Sequence, residues 1–266
     1  MSSENFQSLS EALPTSAVGK TLFHFETVDS TNQWLRDRSE ALPHGSVAIA
    51  DFQSAGRGRL GRQWVTPPGA ALLHSILLKP NWPLIQASWL TMIAGIVVVD
   101  AIKTLYDFDV KLKWPNDVVA LQDQALHKIG GILVETTVNQ ARLAEAVIGI
   151  GLNVNISAGD LPTTQGLPAS SLLLLTGQQH PRTAVAYETL SRIERAFEHS
   201  AKGNSPLEAW RDKLITLGEK VTVVSQIDRA EREGRAIDVD EWGRLIIEDQ
   251  QGRRQAVAAG DVSLRF

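Results

Sequence analysis

The sequence predicts an α+β fold that ends in a small all-β unit. Three observations carry that reading. Up to about residue 215, apolar residues alternate between strand-like and helix-like spacing. From about Leu217 onward, short strands are separated by turn-rich or charged connections, the pattern of a small barrel. The chain has 266 residues, 43% hydrophobic and 21% charged, which suits one large domain and one small one. The expected division is an N-terminal arm over 1–20, a main domain over 21–215 and the β unit over 216–266.

The elements follow in order. Thr21 to Glu26 reads as a strand, with Leu22, His24 and Glu26 on one face and Phe23 and Phe25 on the other. Ser30 followed by Gln33 matches a capping box, opening a helix through Trp34, Leu35 and Arg38. Ser46 to Ala50 is a short buried strand, and Ala70 to Leu78 is another, ended by Lys79-Pro80. Gln86 to Tyr106 has helical periodicity through Leu90, Ile93, Val97, Ala101 and Leu105. Val110 to Lys113 returns as a strand and stops at Trp114-Pro115, because proline cannot donate to an interior ladder. Ile132 to Thr137 and Leu143 to Gly151 read as a hairpin across Val138 to Arg142. Thr183 to His199 and Pro206 to Leu214 are helical, and Lys220 to Val224, Arg235 to Val239 and Arg244 to Glu248 are the short strands of the tail.

Composition excludes several functions. The sequence contains no cysteine, so disulfides, thiolate metal sites and a cysteine nucleophile are ruled out. A net charge of -4 and a pI near 5.9 disfavour extended nucleic-acid binding. The first twenty residues show no basic and apolar leader pattern. The apolar run around Trp89 to Val99, interrupted by Thr91 and Gly95, reads as too short to span a bilayer. A cytoplasmic protein without membrane contact is expected. Gly19-Lys20-Thr21 ends like a P-loop but lacks the earlier glycine, and Gly149-Ile150-Gly151 lacks the third glycine of a dinucleotide fingerprint.

Gly56-Arg57-Gly58-Arg59-Leu60-Gly61-Arg62 alternates glycine with arginine, and no acidic residue lies between Asp51 and Asp100. Glycine lets backbone approach a ligand closely, and arginine offers a rigid fork of donors for carboxylate or phosphate. A local positive field in an acidic chain points to a small anion; a solvated basic loop or an RNA-touching segment is the alternative. Further along, Lys113-Trp114-Pro115-Asn116-Asp117 places a lysine, an amide and a carboxylate at one strand end. Lysine can neutralise charge on a phosphoryl group, and an aspartate can hold Mg²⁺. Lys128 precedes Gly130-Gly131, where bare backbone can lie against a flat ligand, and Asn153 ends another strand. Each has a turn or a cap as its plain explanation. Together they suggest activation of a carboxylate by ATP.

These motifs, with Ser30-Thr31-Asn32, Lys128-x-Gly130-Gly131-Ile132-Leu133-Val134-Glu135 and Gly149-Ile150-Gly151-Leu152-Asn153-Val154-Asn155, stand in the order seen in biotin–protein ligases. The sequence resembles the catalytic and C-terminal units of that family over roughly Leu22 to Phe266. The short N-terminus resembles the monofunctional type, without the DNA-binding domain of the repressor members, so no DNA partner is expected. The resemblance implies a class II synthetase-like mixed sheet flanked by helices, with a C-terminal SH3-like barrel. It also implies an adenylate mechanism: biotin and MgATP give biotinyl-5′-AMP, and a lysine of the biotin carboxyl-carrier protein of acetyl-CoA carboxylase takes the biotin.

By the same resemblance, Ser30, Thr31, Asn32 and Gln53 would meet the biotin head group, and Arg57, Gly58 and Arg59 would order over biotin and the adenylate phosphate. Arg62 and Trp64 would shape that loop. Lys113 would stabilise phosphoryl transfer, with Arg57 and Arg59 sharing its catalytic role. Asn116 would join the ATP site, Asp117 would hold Mg²⁺, Lys128 would contact the carboxyl end of biotin or the phosphate, and Gly130 and Gly131 would contact biotin. Asn153 would lie towards adenine or ribose. One departure concerns adenine: Ile156 to His180 contains no Phe, Tyr or Trp, so Leu167 or its neighbours would have to cover the base. A lipoate or octanoate ligase and a biotin-binding sensor are the competing readings. Edge strands could pair two protomers or dock the carrier, so a homodimer stays open.

Overall fold

The computed structural model describes residues 4–122, 125–162, 166–225, 230–258 and 260–265. Its elements begin with α1 (Leu9–Ala12), β1 (Leu22–Val28), α2 (Thr31–Arg36), β2 (Val47–Gln53) and β3 (Ala71–Leu78). They continue with β4 (Trp82–Pro83), α3 (Ala87–Tyr106), β5 (Val110–Lys113), β6 (Asp117–Gln122), β7 (Ala125–Asn139) and β8 (Arg142–Asn153). After α4 (Leu172–Thr176), α5 (Arg182–Ala201) and α6 (Leu207–Arg211) come β9 (Lys220–Ser225), β10 (Glu231–Val239), β11 (Leu245–Glu248), β12 (Arg254–Val257) and β13 (Gly260–Arg265).

The first eight strands form a mixed sheet of order β1-β2-β3-β8-β7-β6-β5, with β4 attached to β8. Only β1 and β2 pair in parallel among these ladders; the rest are antiparallel. One face carries Val47, Ile49, Leu72, Ile76, Ile148 and Ile150 into the main core, to which α3 and α5 also contribute. The other packs Ala48, Leu77 and Val147 against Leu35 of α2. Every residue of β3 is therefore buried, which explains its unbroken apolar run.

The last five strands form a separate antiparallel sheet of order β12-β11-β10-β9-β13. Buried Trp114 ties it to the end of β5: its indole N–H donates to Gly243 O at 2.9 Å and its backbone N–H to Thr216 Oγ1 at 2.9 Å. Before β1, Phe6, Leu9, Leu13 and Val18 are buried in the main core. Glu194 of α5 accepts from the backbone N–H groups of Ser16, Ala17 and Val18 at 2.7, 2.7 and 3.2 Å. Burial opposes the charge on Glu194, but those donors prevail and hold its pKa below the ordinary value.

Several expectations needed correction. β6 was not expected, because Pro115 was read as a strand end, whereas it sits in the tight turn of a β5–β6 hairpin that pairs Lys113 with Asp117. β7 begins at Ala125 instead of Ile132, so Lys128, Gly130 and Gly131 lie inside a strand. Its ladder with β6 shifts register where Val118 faces Gly130 and Val119 faces Lys128, which leaves Ile129 as the extra residue of a bulge. β2 runs on to Gln53, α6 is shorter than Pro206 to Leu214, and α4, β12 and β13 are additional. Ser30 does cap α2, accepting from Gln33 N, but the Gln33 side chain donates to Asp37 at 2.6 Å instead of closing the box. The helical stretch Leu84–Tyr106 is, by length and composition, long and apolar enough to cross a bilayer, contrary to the reading of its central run. Here α3 is the central core helix, with ten residues from Leu90 to Ile102 buried.

Candidate active site

A cavity of about 700 Å³ opens between α2, the glycine–arginine loop and strands β3, β8, β7 and β6, well within the range of small-molecule sites. Its floor is polar and buried. Thr31 N donates to Gln53 Oε1 at 2.7 Å, and Thr31 Oγ1 lies 3.0 Å from the same oxygen and 2.7 Å from Ser75 Oγ. Ser75 Oγ lies 2.6 Å from Asn32 Oδ1, and Asn32 Nδ2 donates to Glu135 Oε2 at 2.9 Å. Both ends of this chain are acceptors, so two hydroxyl protons serve three oxygen–oxygen contacts. The hydroxyl protons are thus spent within the row, and the lone pairs that remain can accept from a ligand N–H. Gly149 makes room for this floor, because a Cβ there would stand 2.2 Å from Asn32 Oδ1.

The glycine–arginine loop closes one wall. Gly58 N donates to Arg62 O at 2.8 Å and Trp64 N to Gly56 O at 2.9 Å, so the loop folds back on itself. Leu60 and Gly61 turn its tip at φ 61° and 73°. Trp64 then lies over β7 and β8, where Cβ atoms at Gly131 and Gly151 would stand 3.2 and 2.7 Å from its ring. Bare backbone is what admits the indole. Arg57 donates to Gln33 Oε1 at 2.9 Å and pairs with Glu135 at 3.1 Å, while Arg59 donates to Asn116 Oδ1 at 2.8 Å.

The opposite end is charged. Lys113, only 7% exposed, lines the cavity beside Asn116 and Asp117. Asp117 Oδ1 holds Lys128 Nζ at 2.6 Å, and that ammonium lies 5.6 Å from the Trp64 ring centroid. Asn153 Nδ2 donates to Ser170 O at 2.9 Å, while its buried Oδ1 has no hydrogen-bond partner among the described residues. Leu167 and Ala169 border the same end, carried there because Lys128 N donates to Pro168 O and Ser170 N to Lys128 O. Thr163 to Gln165, part of the stretch expected to cover adenine, lie outside the described residues. Among the described residues no group of three His, Cys, Asp or Glu could hold a metal ion.

The cavity thus gathers Ser30, Thr31, Asn32, Gln53, Arg57, Gly58, Arg59, Arg62, Trp64, Lys113, Asn116, Asp117, Lys128, Gly131 and Asn153. Gly130 is the exception: its missing side chain points at Val118 and Leu152, on the far face of β7. Sequence reasoning passed over Ser75, Glu135, Gly149 and Gly151 as site groups. Ser75, a hydroxyl inside an apolar strand, was the readable signal; for Glu135 and the two glycines only the register with α2 and Trp64 reveals the contact.

Comparison with known proteins gives this constellation a context. The family model described as biotin/lipoate A/B protein ligase matches residues 24–153, and that described as biotin protein ligase C terminal domain matches residues 216–265. The biotin–[acetyl-CoA-carboxylase] ligase of Mycobacterium tuberculosis is 35% identical over 88% of this chain and 85% of its own. The bifunctional ligase/repressor BirA of Escherichia coli is 33% identical over 90% of this chain and 72% of its own. Among solved structures, the biotin protein ligase of Aquifex aeolicus in complex with biotin and ATP superposes with a TM-score of 0.75 at 30% identity, covering 92% of this chain and 99% of that one.

Proposed function

The chain belongs to the biotin/lipoate A/B protein ligase family, and from that premise we propose how its cavity carries out the reaction. The protein is a biotin–protein ligase: it forms biotinyl-5′-AMP from biotin and ATP and transfers biotin to a biotin-carrying carboxylase subunit. The polar floor supports this reading best. A ureido ring offers two N–H donors and one acceptor, and the floor is a buried row of hydroxyl and amide groups whose oxygens can accept from those donors. A site built to satisfy such groups rejects an analogue that lacks them by several orders of magnitude, since its own polar atoms are then stranded.

In this reading Ser30, Thr31, Asn32 and Gln53 hold the biotin head group while Trp64 covers the ring above Gly151. Lys113, Arg57 and Arg59 stabilise the charge that spreads over the α-phosphoryl group, and the folded loop with Arg62 excludes water from the mixed anhydride. Asn116 positions Arg59. Asn153 Oδ1, buried without a partner among the described residues, suits the amino group of adenine, with Leu167 beneath the base. Asp117 offers the single carboxylate that Mg²⁺ needs when most of its ligands are phosphate and water, and Mg²⁺ would neutralise the triphosphate there. Lys128, released from Asp117, would turn to the carboxyl end of biotin. The carrier is the biotin carboxyl-carrier protein of acetyl-CoA carboxylase, reached in the cytoplasm by an enzyme whose units are an arm (1–20), a catalytic domain (21–215) and a β domain (216–266). Whether two protomers pair is decided by sedimentation with and without biotin.

The test is to mix purified protein with ATP, Mg²⁺ and a biotin carboxyl-carrier domain, offering biotin and lipoate in parallel, and to weigh the carrier by mass spectrometry. A biotin-sized increment that depends on ATP and on Lys113 is expected. A carrier modified by lipoate and not by biotin would overturn the reading of the floor.

A further inference from the structure

Resting on the ligase reading, we propose that Glu135 is a positioning residue that couples the biotin floor to the glycine–arginine loop. Its two carboxylate oxygens do separate work. Oε2 accepts from Asn32 Nδ2 at 2.9 Å, while Oε1 takes Arg36 at 2.5 Å and Arg57 at 3.1 Å. A carboxylate can only accept, so the amide nitrogen of Asn32 must face it, and Leu133 O accepts from the same nitrogen at 3.4 Å. That fixes Asn32 Oδ1 towards the Ser75 hydroxyl at 2.6 Å and sets the polarity of the whole floor. Turning the amide over would set oxygen against two acceptors and nitrogen against Ser75.

The second oxygen acts on the loop. Arg57 opens the glycine–arginine turn, and its guanidinium reaches across the cavity mouth to Glu135 and to Gln33 of α2. The side chain of Glu135 is 15% exposed whereas that of Arg57 is 43% exposed, so the carboxylate is the fixed post and the arginine the movable strap. One residue therefore orients the group that reads the head of biotin and restrains the loop that covers it.

Two substitutions divide these duties. Glu135→Gln keeps an oxygen that can accept from Asn32 but removes the charge that attracts Arg57. Glu135→Ala removes both. The first readout is trypsin cleavage within Arg57 to Arg62 in the unliganded protein. Glu135→Gln is expected to cut about two- to fivefold faster there, the range that a partly exposed ion pair supports, with unchanged cleavage at Lys20. Acceleration at every site, or none in the loop, would overturn the tether. The second readout is biotin affinity by calorimetry: Glu135→Gln should stay within about threefold of wild type and Glu135→Ala should weaken about tenfold or more. Equal affinities for the two variants would overturn the role at Asn32. Should the alanine variant fail to fold, Glu135→Met supplies the acceptor-free arm. Failure of the wild-type protein to bind biotin would sink the ligase reading itself; the trypsin comparison, which contains no biotin, still decides the tether.

Discussion

Lys128 Nζ lies 2.6 Å from Asp117 Oδ1, an ion pair between the first residue of β6 and the bulged part of β7. Both side chains line the cavity, where each neutralises the other. In the reading proposed above, a nucleotide with Mg²⁺ would exchange this pair for two new ones. Asp117→Asn is therefore expected to slow adenylate formation by about 10²- to 10³-fold, the usual effect of removing one preorganised charge. Biotin affinity should stay within about threefold, since the polar floor proposed for the head group is built by other residues. Single-turnover pyrophosphate release and calorimetry measure the two quantities. A loss of affinity as large as the loss of rate would show that Asp117 shapes the whole cavity instead.

Gly149 offers a sharper steric test. A Cβ on it would stand 2.2 Å from Asn32 Oδ1, 2.9 Å from Asn32 Cγ and 3.1 Å from Asn32 Nδ2, so the amide cannot remain where Ser75 and Glu135 hold it. Gly149→Ala is expected to weaken biotin by at least about tenfold, because displaced polar partners are left unsatisfied. Gly159→Ala is the matched control, with nothing within 4 Å of its added methyl. Calorimetric affinities that are equal for the two variants would mean that Asn32 does not report on the ligand.

How much of this was legible beforehand divides by physical cause. The long elements were readable because burial imposes a period: α3, β3 and the turn end of the β7–β8 hairpin stand near their expected places, although β7 starts earlier, at Ala125. Most of the candidate site was legible in the sense that glycines, arginines and strand-end amides sat where no periodicity required them, and those residues line one cavity. What escaped notice depends on pairing partners distant in sequence. Gly130 and Gly131 look alike in the chain, yet one meets Val118 across the core and the other meets Trp64 in the cavity, because strand neighbours face opposite ways. Glu135 reads as the polar end of an apolar strand until α2 brings Asn32 and Arg36 to it.

The β3 strand also holds a group that the proposed reaction does not use. His74 is 1% exposed, paired across the sheet with Ile49 on one side and Ile150 on the other, and neither ring nitrogen has a hydrogen-bond partner among the described residues. Strand alternation turns it away from Ser75, and its two cross-strand neighbours belong to the apolar core. Burial lowers its pKa from 6.5 to about 4, since the charged ring would lose its hydration. The unfolded chain therefore binds a proton near pH 6.5 that the folded protein refuses until about pH 4. Stability is complete above the unfolded value and falls as pH drops through that window, by roughly 3 kcal/mol for a shift of this size. His74→Leu keeps an apolar side chain of similar bulk and removes both the titration and the two stranded nitrogens. Its urea midpoint should exceed that of wild type at pH 8 by a gap that stays level down to about pH 6.5 and widens from there to pH 4.5. A gap that is constant across this range would show that the ring stays hydrated in the folded protein and that its burial costs nothing on protonation.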